Sequence, residues 1–291
     1  MANRSVNNVF APAPPHFVGD GFRVHNFIPG FAPLSMKRMD PFIMLDYNST
    51  FYFPPSPVPR GVDVHPHRGF ETVTIAYKGS VAHNDSKGGS GVINEGDVQW
   101  MTAASGVLHK EYHEKEFSKK GGDFQMVQLW VNLLAKDKMS PPKYQAITAS
   151  KMTHVPIKNG KGFIEVIAGA YHEHKGPAFT FTPVNLMNAK LKKGDKVDFS
   201  FPAHYNTALL VIEGEVTVND TRNAATDHFV LFDNDADAFS IEAKEDAIVL
   251  IMSGEPLNEP IASHGPFVMN TREELQQAFV DFQNGAFGSL N

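Results

Sequence analysis

Short apolar runs separated by Gly, Pro, Asn and Asp cover most of the chain. The first half contains the runs FIMLDY, ETVTIAYKG, GVINEGDVQWM and QMVQLWVNL, and the second half contains GFIEVIAGAY, TALLVIEGEVTV, HFVLF and DAIVLIMSG. Runs of this length, rich in β-branched and aromatic residues, predict the strands of a sandwich or barrel. Because the second half repeats the organisation of the first, the pattern also indicates an internal duplication.

A looser segment, AKDKMSPPKYQAI, separates the two halves and carries Pro141 and Pro142. Adjacent prolines interrupt strand pairing, so we interpret this segment as a crossover between two domains. The predicted domains are residues 1–135 and residues 136–291. The Pro-rich stretch at residues 11–15 is expected to be a mobile arm.

The segment NTREELQQAFVDFQNG has a different period. Apolar residues recur there at steps of three and four, which predicts an amphipathic helix near the C-terminus. Thr271 is the candidate N-cap, Glu274 completes a capping box, and Gly285 suits the position after the helix end. We expect this helix to pack across the barrels rather than to recruit a partner.

Composition narrows the function classes. The 291 residues suit two domains, and the balance of 26 basic and 32 acidic residues gives a net charge of −6, which argues against direct nucleic-acid binding. Cysteine is absent, which excludes disulfides, thiolate metal sites and cysteine nucleophiles. The 13 His and the carboxylates are therefore the candidate metal ligands.

The first residues lack the basic start and apolar stretch of a signal peptide, and the chain has no run of about 18 apolar residues. We therefore expect a protein that does not span a membrane and that resides in the cytoplasm, and also in the nucleus if its source is a eukaryote.

Residues 61–79 carry the first candidate ligands. His65 and His67 are two positions apart, so a strand presents both imidazoles on the same face. Pro66 lies between them and cannot donate a hydrogen bond to a neighbouring strand. Its position therefore predicts an edge or bulged strand that bends toward a site.

His109 and Glu111 form a second pair with the same spacing. Two such pairs on facing strands of a small barrel would converge on one point. Three neutral imidazole nitrogens and one carboxylate oxygen suit a divalent metal that keeps open positions for a substrate or dioxygen. Glu71 lies on the same predicted face as His65 and His67, and His113 on that of His109 and Glu111. Each could be a further ligand, a group that orients an imidazole, or an end-of-strand residue.

The motifs HPHRGFETVTI, GDVQWMTAASGVLHKE, QLWVNL and GEPLNEPIASHGPFVMNTREEL closely resemble those of the pirin family, with matching spacing over about residues 61–275. Pirins are bicupins, so the resemblance implies an all-β chain with two antiparallel β-barrel (jelly-roll) domains and a C-terminal helix. The general cupin pattern has five residues between its first Gly and His-x-His, whereas three separate Gly61 from His65 here. Seven residues rather than six separate Glu71 from Gly79.

The resemblance implies four metal ligands in the N-terminal cupin: His65, His67, His109 and Glu111. It favours Glu111 over Glu71, which we then expect to orient a ligand. The implied metal is iron, as Fe(II)/Fe(III), although these ligands also suit Ni, Co, Cu, Mn or Zn.

Many pirin-like proteins resemble quercetin 2,3-dioxygenases, which open the flavonol ring with dioxygen and release carbon monoxide. The resemblance thus implies a dioxygenase that acts on a small aromatic, flavonol-like substrate, with Glu111 as the catalytic base. The alternative is a non-catalytic, iron-dependent redox sensor that binds a transcription factor or a metabolic enzyme. The family resemblance favours a monomer in both cases.

The second half departs from the metal-binding pattern. His204 and Asn206 stand where His-x-His would be, and no His-x-Glu follows, so we expect the C-terminal cupin to be metal-free. His172 and His174 share the His-x-His spacing, but they precede loop residues and we expect no site there. Arg68 has the opposite parity to the ligands and is expected either to reach the site rim or to pair on the surface.

Overall fold

The structure is a computed structural model that describes residues 3–290. The strands of the first half are β1 (Val6–Phe10), β2 (His16–Val18), β3 (Phe22–Ile28), β4 (Phe42–Phe53), β5 (Gly61–His67), β6 (Phe70–Lys78), β7 (Val81–Asp85), β8 (Ser90–Ile93), β9 (Val98–Thr102), β10 (Val107–His113), β11 (Gly122–Asn132) and β12 (Lys143–Ile147). Those of the second half are β13 (Thr153–Pro156), β14 (Phe163–Ala168), β15 (Ala170–Tyr171), β16 (His174–Lys175), β17 (Val184–Leu191), β18 (Lys196–Ser200), β19 (Asn206–Glu213), β20 (Glu215–Val218), β21 (Arg222–Ala225), β22 (Phe229–Phe232), β23 (Ala238–Ala243), β24 (Ala247–Gly254), β25 (Ala262–His264) and β26 (Phe267–Met269). The helices are α1 (Met36–Met39), α2 (Lys115–Lys120) and α3 (Arg272–Gln283), with a 3₁₀ turn at Ala149–Lys151.

The chain forms two compact units, each with one seven-stranded and one four-stranded antiparallel sheet. In the first barrel, the orders are β12-β9-β6-β11-β4-β3-β2 and β5-β10-β7-β8. In the second barrel, they are β1-β22-β19-β24-β17-β14-β13 and β18-β23-β20-β21. The repeated arrangement confirms the predicted all-β bicupin fold and the internal duplication.

The division between the units differs from the predicted boundary at residue 135. The first barrel comprises residues 14–149 and 257–290, and the second comprises residues 3–13 and 150–256. Antiparallel pairing is the reason. Strand β12 pairs with β9, which keeps it in the first barrel, and β1 pairs with β22, which places the residues before the Pro-rich stretch in the second barrel. Helix α3 belongs to the first barrel, not to the C-terminal domain to which it was assigned.

Helix α3 begins as the sequence predicts. The Thr271 hydroxyl accepts a hydrogen bond from the Glu274 backbone N–H at 3.1 Å, and the Glu274 carboxylate accepts one from the Thr271 N–H at 3.0 Å. Gly285 follows the helix end with a φ of 74°, in the left-handed region that favours glycine. Ala278 is fully buried and lies in a small apolar cluster with Phe267.

No helix among residues 3–290 has the length and apolar character needed to cross a membrane.

Arg68 fixes α3 to the strand that carries the ligand pair. Its Nε donates to the Ser105 carbonyl and its Nη1 donates to the Asp281 carboxylate, both at 2.7 Å, and its guanidinium lies over the Phe287 ring. Arg68 is 4% exposed and is not among the residues that line the cavity, so it does not reach the site rim. The expected pairing is present, but it joins a buried guanidinium to the partly exposed Asp281 carboxylate and anchors the helix.

Lys138 ties the same C-terminal segment to the start of β6. Its buried ammonium donates to the Gly69 carbonyl at 2.6 Å, the Asn132 side-chain oxygen at 2.6 Å and the Val268 carbonyl at 3.0 Å. Burial lowers the pKa of Lys138 to about 8. Three acceptors satisfy all three ammonium protons, which is the condition for keeping such a group buried.

Candidate metal centre

Strand pairing brings the two predicted ligand pairs together. Strand β5 is the edge strand of its four-stranded sheet, which confirms the expectation drawn from Pro66. It pairs with β10 so that His65 lies opposite His109 and His67 lies opposite Val107. The register of this pairing shifts between His109 and Glu111, which lies opposite Val62. The extra residue is on β5, so His109 and Glu111 keep regular spacing on β10 and share one face of that strand.

The three imidazoles form one cluster. The centroids of the His65 and His109 rings are 4.2 Å apart, those of His67 and His109 are 4.7 Å apart, and those of His65 and His67 are 4.9 Å apart. One ring nitrogen from each residue lies within 4.8 Å of the other two. His67 and His109 are buried, and His65 is partly exposed.

The hydrogen bonds of these rings leave the same atom available on each. His65 Nδ1 lies 2.8 Å from the Asp63 carbonyl, and His67 Nδ1 lies 3.4 Å from the Pro266 carbonyl. His109 Nε2 is buried and has no hydrogen-bond partner within residues 3–290. Carbonyl acceptors at Nδ1 select the tautomer with an unprotonated Nε2, which is the form that binds a metal.

His109 is oriented by a residue to which the sequence analysis gave no role. His83 Nε2 lies 3.1 Å from the Asp85 carboxylate, and His83 Nδ1 lies 3.5 Å from His109 Nδ1. Although burial alone would raise the pKa of Asp85, hydrogen bonds from His83 and from the backbone N–H groups of Lys87 and Gly89 bring it below its ordinary value. The ionised Asp85 carboxylate accepts a hydrogen bond from His83 Nε2–H. This leaves His83 Nδ1 as an acceptor, which lies 3.5 Å from His109 Nδ1 and 3.4 Å from the Gln99 amide nitrogen.

The charge state of the cluster also suits a metal. Burial, together with the neighbouring His65 ring, lowers the pKa of His67 well below its usual value. Burial, together with the rings of His67, His65 and His83, has the same effect on His109. Both rings are therefore neutral at neutral pH, as metal ligation requires.

Glu111 lies on the His83 side of the centre. One of its carboxylate oxygens is within 4.8 Å of ring nitrogens of His83 and His109, whereas the close group that contains His65 and His67 does not include it. The structure thus brings the three predicted histidines together and places the predicted carboxylate next to one of them.

Two amides hold the Glu111 carboxylate. Its Oε1 accepts from the Gln99 amide at 3.2 Å, and its Oε2 accepts from the Gln128 amide at 3.3 Å. The Thr74 hydroxyl lies 3.2 Å from Oε1 but is closer to the Gln128 side-chain oxygen, at 2.7 Å, to which it donates its one proton. These residues lie on β6, β9 and β11, so the seven-stranded sheet positions the carboxylate.

The two residues that parity left open lie outside the cluster. Glu71 is buried and accepts a hydrogen bond from the Thr102 hydroxyl at 2.6 Å, and burial raises its pKa to about 7. The expectation that Glu71 orients an imidazole is therefore wrong. His113 donates from Nε2 to the Gly21 carbonyl at 2.8 Å and packs against Phe124. It is a core residue.

A cavity of about 290 Å³ opens beside the cluster. Most of its wall is apolar and comes from strands β2, β3, β4, β5 and β11. The lining residues are Val18, Phe22, Val24, Met44, Asp46, Asn48, Val62, His65, His67, Glu111, Met126, Gln128 and Trp130. Trp130 stacks on Phe70 and meets the edge of His67, so aromatic rings support the ligand side of the cavity.

In the second barrel, the residues whose spacing resembles His-x-His contact neighbouring polar side chains. The Asn206 side-chain oxygen accepts from Asn234 at 3.0 Å, and His174 lies 3.5 Å from the exposed Glu173 carboxylate. Within residues 3–290, the groups of three or more His and carboxylates close enough to share an ion both lie in the first barrel. A metal-free second barrel stays a prediction.

The residues of the first barrel fit a metal. The buried His109 Nε2 without a partner, the clustered ring nitrogens of His65 and His67, and a nearby carboxylate match the nitrogen and oxygen donors that divalent transition metals take. The sequence thus carries a three-His, one-Glu candidate metal site.

Comparison with known proteins identifies the family. The Pirin family model matches residues 21–131, and the model of the pirin C-terminal cupin domain matches residues 186–288. The chain is 45% identical to a Pseudomonas aeruginosa protein named "Putative quercetin 2,3-dioxygenase PA2418", over 98% of both chains. The chain belongs to the pirin family. It is also 36% identical to the Homo sapiens pirin, over 87% of this chain and 84% of the human one.

Two solved structures share this architecture. The crystal structure of a quercetin 2,3-dioxygenase from Acinetobacter baumannii superposes with a TM-score of 0.93 at 46% identity, covering 100% of both chains. The Escherichia coli pirin YhhW, solved in complex with nickel(II), superposes with a TM-score of 0.63 at 18% identity, over 86% of this chain and 100% of that one. The second likeness supports the fold alone.

Proposed function

We propose that this pirin is a metal-dependent dioxygenase that opens the ring of a flavonol-like substrate with O₂ and releases carbon monoxide. The observation that carries the proposal is the cavity: His65, His67 and Glu111 line the same apolar pocket. A metal held there would face a space suited to a flat aromatic molecule. The names of the P. aeruginosa and A. baumannii relatives support this reaction.

We assign the metal to His65, His67, His109 and Glu111, and we propose iron. When bound, such a metal supplies Lewis acidity and open positions at which substrate and dioxygen meet. The nickel of the E. coli pirin is consistent with a donor set that several metals can occupy.

Glu111 is the proposed base for the 3-hydroxyl proton of the flavonol. Each of its carboxylate oxygens accepts one amide hydrogen bond, Oε1 from Gln99 and Oε2 from Gln128, and each keeps a lone pair that can take a proton. The two amides hold the carboxylate in place while the proton moves, which favours transfer over rearrangement.

The apolar wall of the cavity favours an aromatic substrate. Phe22, Met44, Met126 and Trp130 offer a flat, weakly hydrated surface that favours an aromatic ring over a sugar or a phosphate. By excluding water, they also strengthen the electrostatic interactions at Glu111.

The alternative, a redox switch that binds a protein partner, requires the metal ligands but no substrate cavity, so the cavity favours the enzyme. The net charge of −6 supports a role without direct nucleic-acid contact. We also propose that the protein is a monomer and resides in the cytoplasm.

The test is to add quercetin to the metal-loaded protein without oxygen and then to admit O₂. We expect the flavonol absorption band to disappear with release of carbon monoxide. Glu111→Gln should lower kcat by about 10² to 10⁴-fold. Glu71→Gln is the matched control, because it changes a buried carboxyl of the same barrel outside the cavity, and it should keep turnover. An unchanged flavonol spectrum in the wild type would overturn the proposal.

A further inference from the structure

Asn48 is a buried polar residue in the wall of the cavity. Strand β4 presents Met44, Asp46 and Asn48 on one face by its two-residue period, and all three line the pocket. Asn48 is 1% exposed. Neither its side-chain oxygen nor its nitrogen has a hydrogen-bond partner anywhere in residues 3–290. Such a group is costly to bury, so its presence indicates a partner that comes from outside the chain.

The residues around Asn48 offer its side chain no hydrogen-bond partner. Its cross-strand partner on β11 is Met126, and Phe22 and Val24 of β3 line the same cavity. The neighbouring polar groups are already engaged. Asp46 accepts from the Asn26 amide at 2.7 Å. Gln128 accepts from Thr74 and donates to Glu111.

We propose that Asn48 forms a polar subsite that binds a hydroxyl group on the substrate ring system, separate from the 3-hydroxyl that faces Glu111. A carboxamide has a donor and an acceptor side by side, and a hydroxyl group both accepts and donates. The subsite therefore selects polyhydroxylated aromatic molecules over bare ones. This inference rests on the proposed function, because it specifies the substrate class of the same cavity.

The chemistry around Asn48 favours a neutral partner. The carboxamide is uncharged, and its near neighbours Met126 and Val24 would strip water from a charged ligand group without returning a counter-charge. A carboxylate or phosphate on the ligand would also meet Asp46 on the same strand face. A phenolic hydroxyl can hydrogen-bond to both the oxygen and the nitrogen of the Asn48 side chain, with neither the loss of charge hydration nor the repulsion from Asp46.

The test compares the binding of two flavonols to the metal-loaded protein without oxygen, followed by quenching of tryptophan fluorescence because Trp130 lines the cavity. Quercetin carries several ring hydroxyls, and 3-hydroxyflavone carries only the 3-hydroxyl. We expect the wild type to bind quercetin about tenfold more tightly, the effect of one buried hydrogen-bonded group. Asn48→Leu should equalise the two affinities, and Asn48→Ser, which keeps a donor and an acceptor, should retain part of the preference.

Met126→Leu is the matched control, since it reshapes the wall opposite Asn48 without changing hydrogen bonding and should alter both affinities by the same factor. A preference that survives in Asn48→Leu, or a wild type that binds neither flavonol, would overturn the subsite. Thermal unfolding checks that each variant is folded. If Asn48→Leu does not fold, the flavonol preference of Asn48→Ser tests the subsite instead. If O₂ then fails to open quercetin although the Asn48-dependent preference is present, the dioxygenase proposal fails and the subsite stands.

Discussion

His83 Nδ1 lies 3.5 Å from His109 Nδ1, and the opposite nitrogen of the His83 ring lies 3.1 Å from the Asp85 carboxylate. The contact between the two rings is long for a hydrogen bond, yet both are fully buried and have no water to compete for it. The contacts of Asp85 with His83 and of His83 with His109 therefore orient the His109 ring. They leave its Nε2 lone pair free to face His65 and His67.

Replacing His83 by Leu should weaken metal binding by about 10- to 100-fold, the usual effect of losing a group that orients a metal ligand. His109 would then lose the acceptor that fixes its tautomer. Competition with a coloured chelator measures the affinity. His113→Phe is the control, because it removes another buried histidine of β10's sheet, and its metal affinity should equal that of the wild type. Equal affinities for wild type and His83→Leu would contradict the positioning role.

Glu71 makes stability depend on pH. Its pKa is about 7 in the folded protein against an ordinary value of 4.5, so the folded protein keeps the proton in this range while the unfolded chain loses it. The free energy of unfolding should therefore fall between pH 4.5 and about 7, by roughly 3 kcal/mol from this group.

Glu71→Gln removes that titration and retains an acceptor for the Thr102 hydroxyl. The variant should be about as stable as the wild type at pH 4.5 and more stable at pH 7.5. Urea denaturation across this range measures the difference between the two proteins. Parallel curves for wild type and variant would show that Glu71 does not carry the effect.

Gly69 follows the ligand strand where the chain turns into β6. Its φ is 90°, and a Cβ there would overlap the Val268 carbonyl oxygen. Gly88 has nearly the same φ, 87°, but open space around it. Gly88→Ala should cost about 1 kcal/mol from backbone strain alone, and Gly69→Ala should cost about 2 kcal/mol more from the clash.

Denaturation of the two variants separates the effects, and metal affinity adds a second measure. The clash at Gly69 would shift His67, two residues earlier, so Gly69→Ala should also bind metal more weakly while Gly88→Ala should not. Equal stability losses in both variants would argue against close packing at Gly69.

Much of the site could be predicted because strands have a period of two. His65 and His67, and His109 and Glu111, share faces by spacing alone, and the edge position of β5 followed from Pro66. The same signal is present in His83 and Asp85, which are also two residues apart in a strand and therefore share a face. Glu71 lies on β6, which pairs with β9 and β11, whereas Glu111 lies on β10 beside the ligand strand β5, and spacing along the chain does not determine these pairings.

The chain's division into units could not be predicted from composition. Strand β1 pairs with β22, more than 200 residues away, and Lys138 and Arg68 hold the C-terminal segment by contacts with Val268 and Asp281. Such long-range pairings leave no local pattern. The role of Asn48 was equally hidden, because an Asn in a strand acquires meaning only from the cavity that it faces.

The central claim is that His65, His67, His109 and Glu111 hold one transition-metal ion. Elemental analysis of protein purified without chelators tests it most directly. We predict about one equivalent of a transition metal, chiefly iron, per chain in the wild type and in Glu71→Gln, and almost none when the three histidines are replaced by Ala. A wild type without metal, or a triple variant that retains it, would contradict the account.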